Sequence, residues 1–223
     1  MTMSTWLVQI AVSPRCTRLF TRGLLNGHAL HRDLMRLAGD NLGDQPRKTA
    51  GLLWRVDEGP AGLQLLVQLN TPPRIDALPG DLALSARHRD LTPLLDRLQA
   101  GMRVRYRIAA NATKRHGNAT PEKKGKLANL HGADADAWWA RKATDAGLHP
   151  QQITSTALPD ILGPTTRDRH NTPQTVRHGV TRFDGIATIT DPDQLRTAIT
   201  QGIGRARTYG CGLLSIGPLS EPR

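Results

Sequence analysis

Trp6, Val8, Ile10 and Val12 fall on every second position at the start of the chain, with Leu7, Gln9 and Ala11 between them. That period of two predicts a strand. Asn26 then stands where a helix can be capped, and Leu30, Leu34 and Leu37 recur at helical spacing, so a helix is predicted over about 27–38, ended by Gly39. Strands are predicted at about 51–57 and 63–69, joined by the turn Glu58-Gly59-Pro60-Ala61-Gly62. The Pro-rich stretch Thr71–Gly80 leaves room for a short helix, and a strand near 81–86 closes the set. The order is β-α-β-β-α-β, the ferredoxin-like arrangement.

The pattern then repeats. Residues 102–110 alternate apolar side chains with Arg, a strand with one basic face, and a basic polar loop runs from Asn111 to Lys126. A helix is predicted at about 134–146, strands near 151–157, 175–182 and 184–190, a helix at about 193–201 capped by Asp191 or Asp193, and a last strand at 211–216. The Pro/Thr/Arg-rich stretch 158–174 reads as a mobile hairpin or loop. The fold class predicted is therefore α+β, with two tandem ferredoxin-like (RRM-like) domains. The division falls near a connecting helix at Leu91–Leu98, giving units of 1–95 and 96–223.

Charge narrows the partners. Thirty Lys and Arg against nineteen acids give a net charge of +11 in 223 residues, the footprint of a nucleic-acid binder. Aromatics are only 4% of the chain and the RRM stacking signature is missing. Affinity is thus expected from phosphates and duplex shape rather than from stacked bases. No run of 18 apolar residues suggests a membrane span, no secretory signal is read, and two distant cysteines, Cys16 and Cys211, fit a reducing cytoplasm.

The stretch Gly202–Ser215 holds Gly202, Gly204, Gly210 and Gly212 together with Arg205 and Arg207. Glycines that permit positive φ and exposed N–H groups beside Arg suit a polyanion. The order of helix, loop and strand is the reverse of a nucleotide fingerprint. With Leu30 at zero on a wheel of ~100° per residue, His31 lies at ~100°, His28 at ~160° and Arg32 at ~200°. His31 therefore borders the buried face, with His28 and Arg32 beside it, and imidazole can carry a proton either way near neutrality. No carboxylate cluster suggests a two-metal nuclease, and no metal or other cofactor is expected. The adjacent 2′-hydroxyl of an RNA can then serve as nucleophile.

Three segments, Ala29–Leu37, Arg105–Arg115 and Gly202–Ser215, resemble the CRISPR-associated endoribonucleases of type I-E systems, the CasE or Cse3 family of the RAMP superfamily. The third is close to the family's GIGRAKAFGCGLLS, and the helix carrying Trp138-Trp139 and Arg141-Lys142-Ala143 also fits. The resemblance implies a metal-independent cut at the 3′ base of the CRISPR repeat hairpin in precursor crRNA. The products would be a 2′,3′-cyclic phosphate or 3′-phosphate and a 5′-hydroxyl, and the enzyme would stay on the guide beside other Cascade subunits. His31 matches the family's catalytic histidine. His28 stands where some members have Tyr, and Arg36 where some have Lys, so both join the catalytic candidates. The basic hairpin of the family's second domain makes Arg167, Arg169, Arg177 and Arg182 candidate RNA contacts. Arg32, Lys114, Arg115, Arg205, Arg207 and the four loop glycines complete that set. The alternative is a non-catalytic RNA-binding RAMP subunit of a ribonucleoprotein complex.

Overall fold

The computed structural model describes residues 4–39, 42–115, 127–167 and 171–219. Among these residues twelve strands and five α-helices follow one another. They are β1 (Trp6–Val12), β2 (Phe20–Thr21), β3 (Leu24–Asn26), α1 (Gly27–Met35), α2 (Pro46–Ala50), β4 (Leu53–Gly59), β5 (Gly62–Leu69), β6 (Ala83–Asp90), α3 (Thr92–Asp96), β7 (Arg103–Ala110), β8 (Thr113–Arg115), β9 (Leu127–Asn129), α4 (Gly132–Asp145), β10 (Leu148–Arg167), β11 (Pro173–Ile189), α5 (Pro192–Gln201) and β12 (Leu214–Pro218). No helix among the described residues is long and apolar enough to cross a membrane.

Two β-α-β-β-α-β units emerge, as the periodicity predicts. The first sheet runs in the order β4-β5-β1-β6, all antiparallel. Its second helix is reduced to a single 3-10 turn at Ile75–Ala77 within the Pro-rich stretch. The core of the sheet repeats the alternation read at the start: Val8 and Ile10 are fully buried, and Leu30, Leu34 and Leu37 of the first helical segment pack against them. In the second sheet β12, β7, β11 and β10 lie side by side in the same relative order. Trp138 and Trp139 of α4 stack on Phe183, with ring centroids 6.2 and 5.7 Å apart, a large apolar contribution to that core.

Several elements depart from the expected bounds. The expected strands 175–182 and 184–190 are one strand, β11. Gly185 gives no break, because it makes room for Tyr106, whose hydroxyl donates to Gln152 O at 2.7 Å. Of the two readings of 158–174, the hairpin holds: the stretch is the outer part of a long β10–β11 hairpin, paired out to Arg167 and Pro173. Pro150, Pro159 and Pro164 do not end β10. Register shifts at Pro150/Gln152, Leu158/Ile161 and Leu162/Thr165 absorb them as bulges. The short strands β2, β3, β8 and β9 and the helix α2 were not expected.

The units share structure. β3, from the first unit, pairs in parallel with β10 at Leu25–Ile161 and Asn26–Leu162, extending the second sheet to six strands. Ala109, Ile161, Val180 and Cys211 join the first unit's core, and Leu7 packs against the second. Trp54 Nε1 donates to Thr208 O at 3.1 Å and Gln68 Nε2 to Ile199 O at 2.7 Å. Arg55, only 3% exposed, is bidentate to Asp57 and donates through Nη1 to Arg107 O, Leu213 O and Ser215 Oγ at 3.2, 3.3 and 3.1 Å. Removing one partner of a buried ion pair strands the other. Arg55→Met is expected to lower stability by about 3 kcal/mol, measured by denaturant unfolding, whereas Arg87→Met on the exposed edge strand should change it little.

Candidate nucleic-acid interface

Helix α1 is fixed at both ends. The Asn26 side chain accepts the Ala29 N–H at 3.0 Å, an N-cap. Asp33, 4% exposed, is held by Arg18, which also bonds both oxygens of Asp81. That hydrogen bonding holds the Asp81 carboxyl below its usual value. At the start of the helix a Cβ on Gly27 would lie 2.5 Å from Ile161 Cγ2. Only glycine lets α1 press so closely on β10.

His31 is 5% exposed, more deeply set than a position at the edge of the leucine stripe implies. The wheel accounts for the helix's own sheet but not for the second unit, which covers the other flank. The residue opens on a cavity of about 580 Å³ lined by Thr5, Lys48 and Asn70 of the first unit and by Thr200, Arg207 and Thr208 of the second. His28, Arg32 and Arg36 are exposed and stand outside this lining. The cavity thus joins His31 to one predicted cation, Arg207, and adds one that sequence reasoning missed, Lys48. The signal for Lys48 was faint: Pro46 at the first position of the five-residue helix α2.

The glycine loop forms the wall of this cavity. All four of its glycines have positive φ, as does Ala206. Their work is mainly packing. A Cβ on Gly210 would lie 2.6 Å from the Trp54 ring and one on Gly202 2.8 Å from Leu53. Arg205 and Arg207 are exposed, and Arg207 Nη1 donates to Gln201 O at 2.7 Å. Loop residues Gly204–Tyr209 also face a second cavity of about 730 Å³, shared with Asn111, Asn129, Arg177 and His178. Cys211 is fully buried, which pushes its thiol up to about 12, far from a thiolate at neutral pH. Burial likewise raises the Cys16 thiol. Among the described residues no group of three His, Cys, Asp or Glu side chains is placed to hold a metal ion.

The remaining cations divide. Arg177 lies beside the glycine loop, and Arg167, near the hairpin end, donates to Asn171 O at 2.8 Å. Lys114 is 3.6 Å from Asp134, both well exposed, and Arg115 follows it on β8. Arg182 is drawn elsewhere: it pairs with Asp184 at 2.8 Å, and Asp184 also pairs with Arg107. Arg169 lies outside the described residues.

A buried imidazole and two cations around a cleft, with further arginines running out along a β-hairpin, can hold a phosphodiester and move protons at it. The fold and this arrangement define a tandem ferredoxin-like protein of nucleic-acid-handling type. The family described as CRISPR associated protein matches residues 5–218, and the chain belongs to it. It is 27% identical over 222 residues to the CRISPR-associated endoribonuclease Cse3 of Thermus thermophilus, covering 96% of this chain and 100% of that protein. Among solved structures it superimposes on Cse3 bound to a 19 nt RNA with a TM-score of 0.75 at 25% identity, covering 96% of this chain and 100% of that one. A chain of a CRISPR RNA-guided surveillance complex, pre-nicking, matches with a TM-score of 0.69 at 40% identity and the same coverage. The likeness to the type I-E CasE/Cse3 proteins drawn from three sequence segments is borne out.

Gly210→Ala tests the loop's packing. The substitution adds a methyl against Trp54 and forces alanine to φ +76°. A loss of roughly 1–3 kcal/mol is expected, with altered tryptophan fluorescence. Gly217→Ala, where a Cβ meets nothing within 4 Å, should change neither.

Proposed function

We propose that this protein is a guide-RNA processing endoribonuclease. It binds the CRISPR repeat hairpin in precursor crRNA, cuts at the 3′ base of the stem without a metal ion, and remains on the mature guide as a Cascade subunit in the cytoplasm. The observation that carries this reading is the cleft where His31 from α1 meets Lys48 from α2 and Arg207 from the glycine loop. The names of the relatives, an endoribonuclease and a chain of an RNA-guided surveillance complex, support it. The division of labour follows the two units, 1–95 bringing His31 and 96–223 bringing the basic hairpin and the glycine loop.

The nucleophile is the RNA's own 2′-hydroxyl. Its oxygen attacks the neighbouring phosphorus, the bond to the 5′-oxygen breaks, and a 2′,3′-cyclic phosphate and a 5′-hydroxyl result. One proton leaves the 2′-oxygen and one must reach the departing 5′-oxygen. His31 carries one of these transfers. Lys48 and Arg207 meet the charge that gathers on the phosphoryl oxygens, where fixed cations in a partly enclosed site act strongly. His28 is exposed on the same helix and reaches the reaction only if the RNA itself completes the site. Arg36 is exposed beyond the cleft. In this reading Lys48 takes the cationic role for which sequence position had suggested Arg36.

Affinity is separate from chemistry. It rests on the arginines of the hairpin and loop, and its logarithm should fall with the logarithm of salt by ~0.7–0.9 per neutralised phosphate. Arg205→Ala and Arg177→Ala should each flatten that slope by about one such step, in a filter-binding titration with the hairpin.

The decisive assay is cleavage of a labelled repeat hairpin in EDTA. His31→Ala should reduce the rate by ~10²–10⁴ with hairpin affinity nearly unchanged, and Lys48→Ala should reduce it less, also without loss of binding. Cleavage that needs added Mg²⁺, or a His31→Ala protein that cuts at the wild-type rate, would refute the mechanism. Tight binding with no cutting by the wild type would favour the non-catalytic RNA-binding reading.

A substrate with hydrogen in place of the scissile 2′-hydroxyl should bind and resist cutting. Product ends read by mass spectrometry should carry the cyclic phosphate or its 3′-phosphate hydrolysis product.

A further inference from the structure

The second cavity, on the far side of the glycine loop, has no part in the mechanism above. It is bounded by β8 and β9, the β11 segment Val176–His178, and the loop itself. We propose that it is a pocket for one unpaired RNA nucleotide immediately flanking the scissile phosphate, a proposal that rests on the ribonuclease reading.

Size comes first. About 730 Å³ lies within the range of pockets that enclose a single small ligand. A nucleotide fits, whereas a base pair still in its stem does not enter such a recess. Next comes the wall. His178 and Tyr209 stack with centroids 4.5 Å apart and planes 14° from parallel. Burial, with Arg205 a smaller cause, holds the His178 imidazole below its ordinary value, which favours its neutral ring as a π surface. Every base has a face that can extend such a stack. Leu127 and Val176 are also part of the lining, and 44% and 39% exposed. Apolar side chains left in water on this scale suit a ring laid against them.

Polar groups complete the recess. Asn111, 6% exposed, donates to Gly179 O at 2.7 Å and reaches Asn129 Oδ1 at 3.4 Å. That contact orients Asn129, which is exposed at the cavity wall and can both donate and accept along a base edge. Arg182 is already paired to Asp184. By contrast Arg177 and Arg205 are exposed and have no carboxylate partner among the described residues, so they are available to phosphates.

Position fixes which nucleotide is meant. Arg207 and Thr208 line both this cavity and the one holding His31. The two recesses are opposite sides of one loop. A strand whose phosphate sits at His31 therefore has its next unpaired residue within reach of the His178–Tyr209 pair. Among the ring pairs of the described residues, His178–Tyr209 is the closest and the most nearly parallel.

The test uses the full chain and a hairpin with hydrogen at the scissile 2′ position. 2-Aminopurine is placed in turn at each unpaired position on either side of the cut. Binding should quench fluorescence at one position, and an abasic substitution there should weaken binding by about tenfold. In Tyr209→Leu the quench should vanish and the abasic penalty should shrink towards none. If Tyr209→Leu melts early, Asn129→Ala, an exposed position, replaces it and should reduce discrimination between bases at that position. The controls are the natural hairpin and wild-type protein. If that hairpin is bound and cut but no flanking position is quenched, or the penalty is the same in wild type and variants, the pocket is refuted and the ribonuclease reading stands. If the hairpin is neither bound nor cut, both fall.

Discussion

The structure depends on one buried guanidinium. Arg55 leaves the first sheet and ends among backbone carbonyls of β7 and the segment leading into β12, with Asp57 neutralising it from its own strand. Taking a cation out of water is costly unless its hydrogen bonds are replaced. Here the planar fork of arginine supplies donors in the directions those acceptors lie, which a lysine could not do. The arrangement is satisfied in only one docking of the two units. That docking brings α1 against β10 and the glycine loop against Trp54. The cleft around His31 exists because its walls belong to different units held at this spacing.

The loop glycines illustrate how a binding motif and a packing motif share residues. Read alone, four glycines among arginines suggest backbone N–H groups offered to phosphate. In the folded protein Gly202 and Gly210 are glycine because Leu53 and Trp54 leave no room for a side chain. The loop is thereby clamped, and its clamped course turns Arg205 and Arg207 outward. In the proposed reading phosphate contact falls to the arginines, and the glycines fix where the arginines are.

Most of the architecture was legible because it rests on short-range rules. Alternation gave β1 and β7, the leucine stripe gave α1, and Asp191 with Pro192 gave the start of α5, where the Asp191 side chain does accept from Asp193 and Gln194. The long hairpin was legible only as one of two readings, and the continuity of its strands was not legible at all. Three prolines and Gly163 argue against strand by local preference, and only pairing to β11 carries β10 past them. The site divides the same way. His31 was visible as an imidazole beside a stripe, but its depth depends on residues over a hundred positions away. Lys48 carries only the faint mark of Pro46 and Asn70 none, since it is the folding of their own unit that brings them to the cleft. Arg182 was placed with the hairpin arginines by sequence proximity, yet the alternation of a strand turns it to the face where Asp184 waits.

The parallel pairing of β3 with β10 carries a mechanical meaning. Asn26 is at once the last residue of β3, bonded into the hairpin's sheet, and the cap of α1. The hairpin and the helix bearing His31 are therefore a single lever, with its fulcrum at the base of the arm. The arm is tied to α1 by these backbone hydrogen bonds and by the Ile161 side chain, which sits against Gly27 and in the first unit's core. The base of the arm is thereby registered against the helix to within the stiffness of a β-ladder. The spacing between the arm and the cleft is thus set by the short course of the chain between Leu25 and Gly27.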